Sequence, residues 1–148
     1  MLRPVFVGVL ALVLVAVVSW SPASARTTVR AKLTVELAAV SMSGNRTVEA
    51  GTVTGTFGDG AIILHNTISG LKANSTGTLW YTKGTIDVKA AVEAAMRPDG
   101  SLVFSGKGRV TGGTGKFSSG RGRLTVRGSI PPNDTVHSTF TIAGTLTY

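Results

Sequence analysis

The 148-residue sequence predicts an all-β protein, and three observations carry this prediction. Apolar and polar residues alternate along one segment after another, which is the period of a half-buried strand. After residue 25 the chain is rich in Thr, a β-branched residue favoured in strands, and in Gly, which without a collagen repeat indicates many turns and tight bends. No segment combines a helical period with capping residues.

The first 25 residues predict a secretory signal peptide. Met1–Pro4 carries one positive charge, an uncharged and mostly apolar run of 16 residues extends from Val5 to Trp20, and Ala23 and Ala25 supply an A-x-A cleavage pattern. The alternative is a membrane anchor, but a membrane span needs about 20 residues. We therefore expect cleavage after Ala25, and a single domain over residues 26–148 that is secreted to the extracellular space or the cell envelope.

Composition excludes several classes of site. The chain has no cysteine, which rules out disulfides, thiolate metal ligands and cysteine nucleophiles. His65 and His137 are its only histidines, so we expect no metal site. Residues 26–148 carry fourteen Lys and Arg against seven Asp and Glu, a net charge of +7. An exported domain of this length must rely on its hydrophobic core alone.

The first half of the expected domain contains four strands. Residues 29–37 have an apolar side chain at every odd position and a polar one at every even position. The next three strands, roughly 47–57, 60–68 and 76–83, are less regular. Within the third, Ile62, Ile63 and Leu64 are apolar on both faces, which indicates a strand covered on both sides and favours a homo-oligomer.

Four more strands are expected in the second half. They cover roughly 86–94, 102–109, 123–127 and 140–148. The Ala-rich run at 90–96 has helical propensity but continues a clean alternation, so it is assigned to a strand. Pro98-Asp99-Gly100 between two alternating runs predicts a hairpin turn.

About eight strands with short connections leave exposed sheet edges unless the sheet closes or splits into two. Four glycines lie inside strands, where a small and strongly curved barrel needs them. They are Gly55, Gly106, Gly108 and Gly144. The expected fold is therefore a single closed antiparallel β-barrel, in preference to a sandwich.

Residues 106–148 carry a family resemblance. A strand runs into the turn Gly112-Gly113-Thr114-Gly115-Lys116-Phe117, another strand follows, and the chain closes with Gly144-Thr145-Leu146-Thr147-Tyr148. This 43-residue stretch resembles the allene oxide cyclase and dirigent barrel superfamily, whereas over residues 26–105 only the pattern of strands agrees. The resemblance implies a lumen that holds a small apolar molecule without a cofactor. It carries over no catalytic residue, because the residues that act in the family do not align with residues 26–105.

Four side chains are candidate acid–base groups: Glu36, His65, Asp87 and Glu93. The three carboxylates occupy the polar positions of strands whose other face is apolar. If the apolar face lines the barrel, as is usual in small barrels, these carboxylates point to solvent. They would line a pocket only in an inverted or oligomeric barrel.

Three aromatic residues are candidate ligand contacts. Trp80 and Tyr81 are adjacent and therefore face opposite sides of a strand, so that one packs in the core and the other lies at a barrel mouth. Phe117 is expected to plug one end of the barrel or to pack under its loop.

A basic stripe is expected on the outer surface. Six cations and no acid fall within 21 residues, and the strands that carry them are expected to be neighbours. The cations are Lys107, Arg109, Lys116, Arg121, Arg123 and Arg127. Two interpretations stay open, a site for anionic envelope polymers or lipid headgroups and a solvated surface that keeps the protein soluble. Nucleic acid is not expected, since the stripe lacks interleaved aromatic residues apart from Phe117.

Three functions are compatible with these features. The leading hypothesis is non-catalytic binding of a small apolar or aromatic molecule in the lumen, without cofactor or metal. The second is a cofactor-free isomerase of cyclase type, or a dirigent-type guide for coupling. The third is an envelope-associated scaffold whose basic stripe binds anionic polymers. The second function needs an ionisable group inside the lumen, and the third predicts a filled lumen and binding that weakens steeply with salt.

Overall fold

The computed structural model describes residues 25–148, which form one closed antiparallel barrel of eight strands. Each strand pairs with the next along the chain, and the last pairs with the first. The strands are β1 (Thr28–Ser43), β2 (Arg46–Gly55), β3 (Gly60–Ser69), β4 (Lys72–Tyr81), β5 (Gly84–Met96), β6 (Leu102–Gly113), β7 (Arg121–Ile130) and β8 (His137–Thr147). The predictions of an all-β protein and of a closed barrel are confirmed. The predicted signal peptide covers residues 1–25, and all of it except Ala25 lies outside the described residues.

The barrel closes where its first and last strands meet. β1 and β8 pair without interruption from Thr28 opposite Thr147 to Ala38 opposite His137. The ladder continues past the strand ends, because Thr27 and Tyr148 exchange two backbone hydrogen bonds of 2.7 and 2.9 Å. Closure removes the free edges that an open eight-stranded sheet would expose. None of the helical structure within residues 25–148 is long and apolar enough to cross a membrane.

The Ala-rich run is part of β5, which ends at Met96. The following turn is held by the Asp99 carboxylate, which accepts hydrogen bonds from the Ser101 amide (2.9 Å) and hydroxyl (2.6 Å). These hydrogen bonds hold the pKa of Asp99 below its ordinary value. Gly100 supplies the positive φ of 84° that the turn needs. The hairpin predicted from Pro98-Asp99-Gly100 is thus present.

Several in-strand glycines allow close contact between neighbouring strands. A Cβ atom at Gly55 would overlap the carbonyl oxygen of Lys32, and a Cβ atom at Gly144 would overlap that of Arg123. Gly106 on β6 stands in the same relation to the Ala91 carbonyl oxygen on β5. Any side chain at these three positions would push the strands apart. The contact at Gly108 is less close, because a Cβ atom there would lie 2.9 Å from the nearest backbone oxygen.

The inward-facing side chains form the core. Eighteen apolar residues are buried, and three of them, Val35, Val53 and Leu79, are completely inaccessible to solvent. Each fully buried Val or Leu side chain contributes roughly 1.5–3 kcal/mol to the free energy of unfolding. The packed core inside the barrel therefore supplies the stability that disulfides provide in other small domains. On β3, Ile62 and Leu64 point inward, whereas Ile63 lies on the outer surface and is 37% exposed. Coverage of Ile63 by a second subunit stays a prediction.

Candidate functional site

Four aromatic rings close one end of the barrel. We call them the aromatic plug: Phe57, Tyr81, Phe117 and Tyr148. The ring centroids of Phe117 lie 5.3 Å from Phe57 and 5.1 Å from Tyr148, in edge-to-face contact. The ring centroids of Phe57 and Tyr81 lie 5.8 Å apart. Edge-to-face pairs at these distances are favourable beyond the area they bury.

The turn after β6 positions Phe117 in the plug. Residues Gly115–Phe117 form a single 3-10 turn, and Gly115 has a positive φ of 58°. The Lys116 amide donates to the Lys83 carbonyl at 2.9 Å, which ties this turn to the neighbouring β4–β5 turn. The Gly-Gly-Thr-Gly-Lys-Phe motif is therefore structural here. It directs one large apolar side chain, 2% exposed, into the closed end.

The other end of the barrel opens into a cavity of about 290 Å³. This is close to the lower limit of about 300–1,000 Å³ that is typical of small-molecule sites. Its walls are mostly apolar and include Ile62, Leu64, Val126, Phe140 and Ile142. We call the end at which the β1–β2, β3–β4, β5–β6 and β7–β8 connections lie the open end.

The cavity lies where the inward side chains of β4 and β5 become smaller toward the open end. On β4 they run from Tyr81 and Leu79 to Gly77, Ser75 and Ala73. On β5 the inward positions nearest the open end include Ala90 and Ala94. Large residues fill the barrel near the plug, and the small residues of these two strands leave space above them.

Exposed apolar side chains surround the open end. Six of the eight large apolar residues that are exposed within residues 25–148 lie there: Val40, Met42, Ile68, Leu71, Met96 and Val136. Three of these, Met42, Ile68 and Leu71, also line the cavity. A molecule that enters the lumen therefore passes an apolar rim, at which it can shed water before it is enclosed.

One hydrogen-bonded polar group lies inside the cavity. Glu49 on β2 points inward, and the Asn66 amide on β3 donates to its Oε2 atom at 3.0 Å. The same amide donates to the hydroxyl of buried Thr47 at 3.1 Å. Burial raises the pKa of Glu49 above its ordinary value, and the hydrogen bond from Asn66 offsets part of this effect. Among the described residues that line the cavity, Glu49 is the sole carboxylate.

Sequence analysis did not identify Glu49. The flanking residues Val48 and Ala50 are apolar, so the alternation there suggests that Glu49 faces outward. Val53, further along β2, indicates the opposite orientation. It is fully buried and four residues from Glu49, so the two side chains point to the same side of the strand. Counting back in steps of two from Val53 was the signal that could have placed Glu49 in the lumen.

The four predicted acid–base candidates do not come together. Glu36, His65 and Glu93 are exposed on the outer surface of three different strands. Asp87 also faces outward, where its Oδ1 atom accepts a hydrogen bond of 2.8 Å from the Thr78 hydroxyl. None of the four lines the cavity. This is the placement expected when the apolar faces of the strands line the barrel.

The three predicted aromatic contacts are divided between two places. Tyr81 and Phe117 meet in the aromatic plug, with 6.1 Å between ring centroids. Trp80 lies on the outer surface and is 40% exposed. None of the three lines the 290 Å³ cavity, so their contact with a ligand stays a prediction.

Five of the six predicted basic residues lie on two neighbouring strands and face outward. Arg109 on β6 stands directly opposite Arg123 on β7, and Lys107 stands opposite Thr125. Arg121 and Arg127 occupy exposed outward positions on β7. Lys116 is separate, at the closed end, with its Nζ atom 5.1 Å from the centroid of the Tyr148 ring.

Comparisons of the chain with protein-family models, with curated proteins and with solved structures found no match. Within residues 25–148, no group of three or more His, Asp or Glu side chains is placed to hold a metal ion. The cavity and the outer surface of the barrel are therefore the features from which a function can be inferred.

Proposed function

We propose that this protein binds a small, largely apolar molecule in its barrel lumen and holds one polar group of that molecule at Glu49. The apolar cavity of about 290 Å³ with a single hydrogen-bonded carboxyl inside it carries the proposal. Burial of the apolar part of such a ligand contributes about 25 cal/mol per Å². Glu49, fixed by Asn66, would select the orientation of the ligand.

Two sequence features support this proposal. The resemblance of residues 106–148 to the allene oxide cyclase and dirigent superfamily implies a lumen that holds small apolar molecules. The signal-peptide pattern of residues 1–25 suggests export, so we propose that the ligand is met outside the cytoplasm or in the cell envelope.

Lumenal binding is tested with a pair of variants on one strand. Ala90 faces the cavity, whereas its neighbour Ala91 is exposed on the outer surface. Ala90→Leu should fill the cavity and weaken binding of the neutral fluorophore N-phenylnaphthylamine by roughly tenfold or more, because the probe and the new side chain compete for the same space. Ala91→Leu should leave the affinity unchanged. Equal affinities for the two variants would contradict lumenal binding.

The natural ligand can be sought by native mass spectrometry of residues 26–148 purified from the host. An added mass of a few hundred daltons that is lost on unfolding would support the proposal. A bare mass, together with no fluorophore binding, would indicate a lumen without a ligand.

Glu49 also favours a second candidate function, a cofactor-free isomerase or coupling guide. A carboxyl in an apolar site whose pKa is raised by burial is suited to donate or accept a proton. Glu49→Gln keeps an oxygen that can accept the hydrogen bond from Asn66 but cannot transfer a proton. Under this second function the variant loses turnover of a ligand identified from the host yet still binds it, whereas for a pure binding protein no turnover is measured before or after the substitution.

A further inference from the structure

The basic stripe is wider in the folded barrel than along the sequence. Outward-facing cations from β5 and β1 join those of β6 and β7, so that the group spans five adjacent strands, β5 to β8 and β1. We call it the basic face: Arg30, Lys32, Lys89, Lys107, Arg109, Arg121, Arg123 and Arg127. All eight residues have exposed or half-exposed side chains.

The strand register aligns cations directly across the sheet. Lys89 is opposite Arg109, and Arg109 is opposite Arg123. Thr145 separates Arg123 from Arg30 in the same row. Neighbouring strands lie roughly 4.8 Å apart, so this row of four cations extends over roughly 19 Å. Like charges directly opposite each other destabilise a sheet.

No acid neutralises this row. Within residues 25–148, the one ion pair closer than 4 Å joins Asp134 to His137, far from the row. Three carboxylates, Glu36, Asp87 and Glu93, face outward on β1 and β5 at the margins of the basic face, and none is within 4 Å of its cations. No cation of the row is therefore held in an ion pair, and a bound anion would relieve the repulsion among them.

The curvature of the face restricts the kind of anion. Five of the eight strands cover more than half of the barrel circumference. A planar bilayer or a rigid duplex touches such a convex surface along one or two strands only, whereas a flexible chain can follow all five. The described part of the face presents no exposed aromatic ring on which a base could stack.

We propose that the basic face binds a flexible polyanion, a chain of phosphate, sulfate or carboxylate groups, around the outside of the barrel. This interaction is separate from the lumenal site, because the two use opposite faces of the same strands. Charge density governs the binding, and the affinity falls steeply as salt rises.

The test uses long-chain inorganic polyphosphate, which offers charge without bases or lipid. The row variant Arg30→Gln/Arg109→Gln/Arg123→Gln, whose three residues do not line the cavity, should weaken binding by roughly tenfold or more at low salt. The control variant Arg46→Gln/Lys83→Gln/Arg97→Gln removes three cations outside both the basic face and the cavity, so its net charge equals that of the row variant. The control should weaken binding by no more than about threefold, through long-range charge alone.

Three results would overturn the proposal. One is equal loss of affinity in the row and control variants, and another is a wild-type affinity that does not change with salt. The third is a stronger interaction with anionic phosphatidylglycerol vesicles, or with single-stranded DNA in a base-dependent way, than with polyphosphate at equal charge. Thermal unfolding confirms that the variants are folded, and loss of repulsion should make the row variant at least as stable as the wild type.

Discussion

At the residue scale, Glu49 couples the stability of the barrel to pH. Its pKa in the folded protein is raised above the ordinary value of 4.5, so the folded state binds a proton more tightly than the unfolded state does. The free energy of unfolding should therefore fall as pH rises from about 4.5 through the folded pKa and then level off. The neutral carboxyl is the form that favours folding.

Glu49→Gln should remove this pH-dependent step. Denaturant unfolding of the wild type and the variant between pH 4 and 8 gives the difference, in which the other titrating groups cancel. We expect the variant to gain stability relative to the wild type as pH rises from about 4.5 through the pKa of Glu49 in the folded protein. A constant difference across that range would show that Glu49 is solvated in the folded state.

Tyr81 in the aromatic plug carries a polar group in an apolar environment. Its hydroxyl is buried and has no hydrogen-bond partner among the described residues, and burial raises the pKa of the phenol well above its ordinary value. An unsatisfied buried polar group costs about 1–3 kcal/mol. Tyr81→Phe keeps the ring contact with Phe57 and removes the hydroxyl.

We therefore expect Tyr81→Phe to raise the free energy of unfolding by about 1 kcal/mol, as measured by urea denaturation. Phe117→Ala, in the same plug, is the contrasting variant and should lower it by about 3–5 kcal/mol. If Tyr81→Phe destabilised the protein, the hydroxyl would have a stabilising partner.

At the element scale, the alternation of side chains was enough to predict the strands but not the site. β1 and β5 have long and regular alternation, so their inward faces follow from the sequence alone. β2 is ambiguous because Val48 and Ala50 are apolar on its outer face, and Glu49 was missed for that reason.

The cavity itself could not be predicted from local pattern. It depends on which small residues from different strands face one another, such as Ala73 and Ser75 on β4 and Ala90 on β5. That requires the register of every pair around the barrel, and register depends on contacts between distant segments. The same is true of the basic face, where Lys89 joins Arg109 only once β5 and β6 are paired.

The strand glycines Gly144 and Gly112 differ in the space around their Cα atoms. A Cβ atom at Gly144 would overlap the backbone of β7, whereas at Gly112 the nearest atom is Oδ2 of Asp87 at 4.0 Å. Gly144→Ala should cost about 2–3 kcal/mol because the strands must move apart. Gly112→Ala is the matched control and should be neutral or slightly stabilising, since alanine restricts the unfolded chain.

Thermal unfolding of these two variants distinguishes close strand contact from general intolerance of strand glycines to substitution. Equal destabilisation of both would contradict the geometric explanation. Gly108→Ala should fall between them, because its Cβ would lie 2.9 Å from a backbone oxygen and 3.2 Å from the Ala90 side chain.

At the scale of the whole molecule, the barrel separates two proposed binding surfaces by the two-residue period of its strands. Val88 points into the lumen and Lys89 points out, and the same holds for Leu124 and Arg123. Substitutions on the outer face can therefore change the basic face without altering the cavity. This separation is why each of the two proposals has a test that leaves the other intact.

The meeting of β1 with β8 makes the barrel continuous, and this predicts that its chain can be reopened elsewhere. Thr27 and Tyr148 are already hydrogen-bonded to each other, so a short Gly-Ser linker can join them as a hairpin would. In a circular permutant of residues 27–148 opened between Asp99 and Gly100, every strand pair remains. We expect it to fold, with a free energy of unfolding lowered by no more than about 2 kcal/mol.

A second permutant, opened between Lys116 and Phe117, should be much less stable because it frees the residue that anchors the aromatic plug. Loss of that packing costs about 3–5 kcal/mol on the scale of a Phe→Ala substitution in a core. Circular dichroism and denaturant unfolding compare the two permutants directly. If both were equally destabilised, chain continuity at the turns would matter more than the plug. If the first failed to fold, the ladder between β1 and β8 would depend on an intact β5–β6 hairpin to form.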